Sequence, residues 1–165
     1  MEVIEENSEE IAGLMAGLKN ERKYAVSPAV KAQMDDLFAA GSADDARVAE
    51  TISRVYGERG YLLDTHTAVA VAVYEDYRNA TGDTTPTVIA STANPYKFTP
   101  SILAALGGAQ ADKPHEQMQE LQDKTGWNIP EPLGSLHVKD VRFTDVCGND
   151  TVSMQQTVYR MLGLV

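Results

Sequence analysis

Apolar residues recur along this chain with the spacing of helices. Ile11, Leu14, Met15 and Leu18 fall at i, i+3, i+4 and i+7, the stripe of a helix with one buried face. Asn7 and Glu10, three apart at its start, supply the capping pattern. Ser27-Pro28 is a second start signal, an N-cap followed by proline in the first helical position. Val30, Met34, Leu37 and Phe38 form its stripe, and Gly41 is placed to end it. Ser42 is predicted to cap a third helix, with Val48, Ile52, Val55 and Tyr56 facing inward before Gly57 and Gly60. Short connectors predict that these three helices pack as antiparallel neighbours.

The middle of the chain has a different pattern. Residues 68–73 are all small or branched and apolar, so a helix there needs cover on more than one side. Their alternation of Ala and Val also permits a strand. The Asp64-Thr65 cap, the length of the run and its polar tail over residues 75–79 favour the helix. After the break at Gly82-Asp83, the β-branched run Thr87-Val88-Ile89-Ala90 follows Pro86 and predicts a buried strand. Few strand partners are in sight nearby. Thr99-Pro100 repeats the cap-plus-proline signal, and the helix through Ile102, Leu103 and Leu106 stops at Gly107-Gly108.

Residues 114–125 predict a more exposed helix with Met118 and Leu121 inward, ended by Gly126. Residues 127–133 contain two prolines and predict a loop; Val141 and Phe143 alternate with polar residues as an edge strand would. Asp150 or Thr151 opens a last helix with Val158, Met161, Leu162 and Val165 on one face. The expected fold is mainly α with a small β component, a single unit over 1–165. Within it we distinguish a helical region 1–83, a strand-turn-helix segment 84–108 and a tail 109–165.

Composition narrows the function classes. A length of 165 residues with 43% hydrophobic content suits one domain with a core. The net charge of −10 disfavours a nucleic-acid partner and an anionic membrane surface. No apolar run is long enough to span a bilayer. The acidic start is neither a secretory signal nor a transit peptide, so a cytoplasmic location is expected. The single cysteine, Cys147, excludes a disulfide framework, and with no basic neighbour beyond Arg142 it reads as an inert thiol. His66, His115 and His137 share no metal-ligand spacing, so no metal is expected. No Walker loop, GxGxxG, HExxH or GxSxG is present.

One stretch carries candidate chemistry. Residues 91–98, STANPYKF, place two hydroxyls, an amide and an amine where a strand would end and a helix begin. Ligands of open α/β sheets bind on loops of this type; an ordinary turn built by Asn94-Pro95 explains the same residues. STANPYKF, preceded by YLLDTHTAVAVAVYEDY and followed by NIPEPL and a closing helix, resembles the C-terminal part of bacterial threonine synthases. That family carries a (D/E)PHxAV segment, then a helix, a strand and an (S/T)xxPxKF-like turn. The resemblance covers nearly the whole chain. It departs at Thr65, where the family usually has proline, and at Asn94, where serine or histidine is common.

The resemblance implies the C-terminal helical part of an α/β enzyme of the tryptophan-synthase-like fold, with pyridoxal 5'-phosphate as cofactor. Such an enzyme converts O-phosphohomoserine and water to L-threonine and phosphate. By motif alignment Thr92 hydrogen-bonds the pyridine nitrogen of the cofactor. Lys97 is then a candidate for the substrate phosphate, while His66 and Thr67 line the site or only cap their helix. The family's Schiff-base lysine and its glycine- and asparagine-rich phosphate loop have no match here, so no catalytic residue is expected in this chain. By the same reasoning the chain alone is expected to be inactive, and its partner is the N-terminal part of the enzyme. The alternatives are a non-catalytic helical module of this family that binds a partner, and a degenerate homologue.

Overall fold

Caps begin and end most of the helices, and most of them are the residues that the sequence pattern names. The computed structural model describes residues 7–109 and 111–164, which fall into two compact units, one up to Gln110 and the other from Ala111.

In the first unit, α1 (Ser8–Glu21) is capped by Asn7, which accepts from the Glu10 N–H. Ser27 caps α2 (Pro28–Leu37) by accepting from the Val30 N–H. The cap of α3 (Asp45–Arg59) is Asp44 and not Ser42: its carboxylate accepts from the Arg47 N–H at 2.8 Å. Either side chain suits an N-cap, and only the backbone path decides between them. Asp64 opens α4 (Thr65–Thr81), and Gly60 and Gly82 close α3 and α4 in the left-handed conformation that glycine adopts without strain.

The core of this unit lies between α3, α4 and α5 (Thr99–Ala105), where α3 packs on both of the others. Ile52, Leu62, Leu63, Ala68, Ala72, Ile102 and Leu103 are buried. Ala68 and Ala72 lie one turn apart on α4 and present only methyl groups. Arg54 on α3 donates to both carboxylate oxygens of Glu75 on α4, at 2.6 and 2.7 Å. Gly41 is not the end of α2, which stops with Phe38 in extended backbone. It sits instead where a Cβ would meet Val73 Cγ1 of α4 at 2.9 Å.

Further expectations in this unit fail for lack of a packing partner. The α1 stripe of Ile11, Met15 and Leu18 is exposed, as are Met34, Leu37 and Phe38 of α2. Close packing joins α3 to α4 and α5 rather than α1, α2 and α3 to each other. Helix α4 is covered mainly along Thr67, Ala68 and Ala72; Val69, Val71 and Val73 are half-buried and Ala70 is exposed. The buried strand at 87–90 does not form, and no strand occurs among the described residues. Val88 is 95% exposed. A β-branched run without a neighbouring backbone has no ladder to join. The small β component is therefore not seen, and the fold is helical.

The second unit holds α6 (Pro114–Thr125), the one-turn α7 (Glu131–Gly134), a 3₁₀ turn at Leu136–Val138 and α8 (Thr151–Met161). Leu121 is buried as expected, Met118 is half-buried, and Gly126 ends α6 in the left-handed conformation. The loop over 127–133 is ordered by one turn of helix and by the Ile129 N–H, which donates to Gln122 Oε1 at 2.9 Å. No edge strand forms: Val141 and Phe143 are both exposed. Asp150 caps α8, accepting from the Ser153 N–H. Its apolar face of Val158, Met161 and Leu162 is exposed, and Val165 lies outside the described residues. No helix among the described residues is long and apolar enough to cross a membrane.

Candidate functional site

The site grows from the start of α4. Asp64 is fully buried and accepts from the His66 N–H at 2.9 Å and the Thr67 N–H at 3.3 Å through Oδ1. The Thr67 hydroxyl donates to its other oxygen. Burial opposes ionisation of this carboxyl, yet the Thr67 hydroxyl and the two N–H groups outweigh it, so its pKa lies below the usual aspartate value. The Thr67 oxygen also lies 3.4 Å from Ser91 Oγ, which ties the first turn of α4 to the segment that carries the candidate turn.

That turn is built locally. Asn94 accepts from the Tyr96 N–H at 3.0 Å and Pro95 takes the first position of a 3₁₀ turn, Pro95–Phe98, which runs into α5. Thr99 is therefore not a cap: it is buried, and its hydroxyl donates to the Tyr96 carbonyl at 2.8 Å. Pro95 and Tyr96 are buried, which anchors the turn, while Thr92, Asn94 and Lys97 are exposed.

His66 reaches the turn through its ring, 4.9 Å from that of Phe98. Its Nδ1 lies 3.4 Å from Asp64 Oδ1 and 3.5 Å from Thr65 Oγ1. A groove of about 510 Å³ opens beside it, lined by Val48, Ile52, Thr65, His66, Val69 and Ser101 among others. Thr92 and Lys97 make no side-chain hydrogen bond or ion pair among the described residues. The structure thus joins His66 to the turn through Phe98, and Ser91 to α4 through Thr67.

Sequence reasoning missed the Thr67–Ser91 contact and the role of Phe98 as the wall beside His66. The Asp64-x-x-Thr67 spacing was the available signal for half of it, since a residue three after an N-cap faces back toward the cap. It also separated His115 from His137, whose rings stack 4.8 Å apart in the second unit. No group of three or more His, Cys, Asp or Glu able to hold a metal occurs among the described residues.

The helical fold of this chain matches a part of two longer solved structures. It is similar to the pyridoxal-phosphate-bound threonine synthase of Brucella melitensis, with a TM-score of 0.67 and 28% identity, over 93% of this chain and 29% of that one. The fold of yeast threonine synthase is matched at a TM-score of 0.68 and 21% identity, over 95% of this chain and 30% of that one.

The family model for threonine synthase, C-terminal, matches residues 67–158, and the chain belongs to that family. Threonine synthase of Pseudomonas aeruginosa is 32% identical over 110 residues, which are 66% of this chain and 23% of that protein. Human threonine synthase-like 1 is 32% identical over 89 residues, 54% of this chain and 12% of that protein. The chain thus spans less than a quarter of the length of these two relatives.

Proposed function

We propose that this chain forms the C-terminal side of a threonine synthase active site, in an enzyme that uses pyridoxal 5'-phosphate to convert O-phosphohomoserine and water to L-threonine and phosphate. The observation that carries the reading is the Thr92 hydroxyl. It is exposed, has no side-chain partner among the described residues, and follows directly on Ser91, which lies against Thr67.

The residues present fit one edge of such a cofactor. A neutral hydroxyl donates to a ring nitrogen without forcing a full positive charge on it, whereas an aspartate would hold the extra proton there. When bound, the cofactor supplies an electron sink for carbanion chemistry, and the group at the ring nitrogen tunes its depth. Thr92, which is exposed, would supply that hydroxyl. Lys97, exposed on the anchored turn, offers a point charge to the substrate phosphate. His66, beside Asp64 and the Phe98 ring, lines the groove and would face a substrate bound there.

The Schiff-base lysine and the phosphate-binding loop come from the N-terminal part of the enzyme, so this chain alone is inactive. The test is Thr92→Val in the full-length enzyme. We expect a shifted cofactor absorbance and a turnover loss of about 2- to 10-fold, the worth of one hydrogen bond. An unchanged spectrum and rate would remove Thr92 from the site.

A further inference from the structure

A single proton decides how the residues around Ser91 are held. The Asp64 carboxylate is ionised and can only accept. Thr67 donates its one hydroxyl proton to it, so toward Ser91 the Thr67 oxygen has only lone pairs left. Ser91 Oγ, 3.4 Å away, must then be the donor of that contact. Of the two neighbouring hydroxyls at 91 and 92, the first is engaged with Thr67 and the second makes no side-chain hydrogen bond among the described residues.

The contact spans 24 residues of sequence. It is a tether on a stretch in which Thr87, Val88, Ala90, Ser91 and Thr92 are exposed and Ile89 alone is half-buried. The next anchor toward the C-terminus is the buried pair Pro95 and Tyr96. Thr92 therefore lies between one side-chain tether and one buried turn.

We propose that Thr67 and Ser91 are positioning residues for Thr92: the directed chain Asp64–Thr67–Ser91 holds the segment so that the Thr92 hydroxyl is the one offered to the ring nitrogen. This rests on the reading of Thr92 given above, and it explains why Thr92, not Ser91, takes that role.

The test separates the two claims. Backbone order parameters at residues 91–93 are measured by NMR on the full chain, for wild type, Thr67→Val, Thr67→Ser and Ser91→Ala. The wild type should be near about 0.85 and the Val and Ala variants should fall below about 0.6, the values of rigid and flexible backbone. Thr67→Ser keeps the hydroxyl and should stay near wild type. Ser91 is exposed, so Ser91→Ala tests the tether without risk to the core. Unchanged order parameters at residue 92 in Ser91→Ala, or a fall in Thr67→Ser equal to that in Thr67→Val, would overturn the proposal. The reading of Thr92 fails separately: Thr92→Val would leave the cofactor spectrum of the full-length enzyme unchanged while Ser91→Ala still loosened the segment.

Discussion

At residue scale, Asp64 serves several neighbours at once. It caps α4 with two N–H groups, orients Thr67 and lies beside His66, all from a fully buried position. Asp64→Ala removes the cap and leaves the Thr67 hydroxyl without its acceptor, so thermal or denaturant unfolding should show a loss of about 2 kcal/mol, the upper end for an N-cap. The pH dependence has a definite sign. The carboxyl titrates lower in the folded chain than in the unfolded one, so its contribution is complete above the unfolded value of about 4. It is lost as pH falls through the lower, folded value. Wild type should be more stable than Asp64→Asn at neutral pH, and the gap should narrow as unfolding is repeated below about pH 4. A gap that stayed constant across that range would show that the charge contributes nothing.

Helices and their ends were the most legible part of the sequence, because a cap is a local event. Asn7, Ser27 and Asp64 were named from neighbours within three residues and Asp150 as one of two candidates with Thr151, and each caps its helix. The failures at this scale needed information from elsewhere in the chain. Ser42 and Asp44 are both good caps, and Gly41 fits a helix end by type, but it lies against Val73, 32 positions further on. That packing makes a prediction. In Gly41→Val the new side chain must displace Val73, and an overpacked contact costs about 1–3 kcal/mol. Adding Val73→Ala should return most of that loss in the same denaturant titration; if the two changes simply add, the close approach is not what limits position 41.

Across the whole molecule, the pattern that predicted burial outran the burial that occurs. The apolar faces of α1, α2 and α8 were read correctly as stripes, yet Leu18, Phe38 and Leu162 are exposed. Periodicity reports that a face seeks cover and is silent on what covers it. The residues proposed for the site, Thr92, Lys97 and His66, came from the family resemblance, while the approach of Thr67 to Ser91 is a long-range contact that no spacing encodes. The run at 87–90 belongs here too. With Val88 open to water, the purified chain should self-associate with rising concentration, and Val88→Lys should shift sedimentation profiles toward monomer. Equal profiles for both would exonerate that run.

The same run has already chosen its sides. Ile89 is half-buried and lines a hollow with Val71, Tyr74 and Glu75, while Val88 points to solvent. Side chains of paired strands alternate with a period of two. Any strand that came to pair with this run would therefore have its own parity set: a slip of that strand by two residues would keep its side chains on their faces, and a slip by one would exchange them.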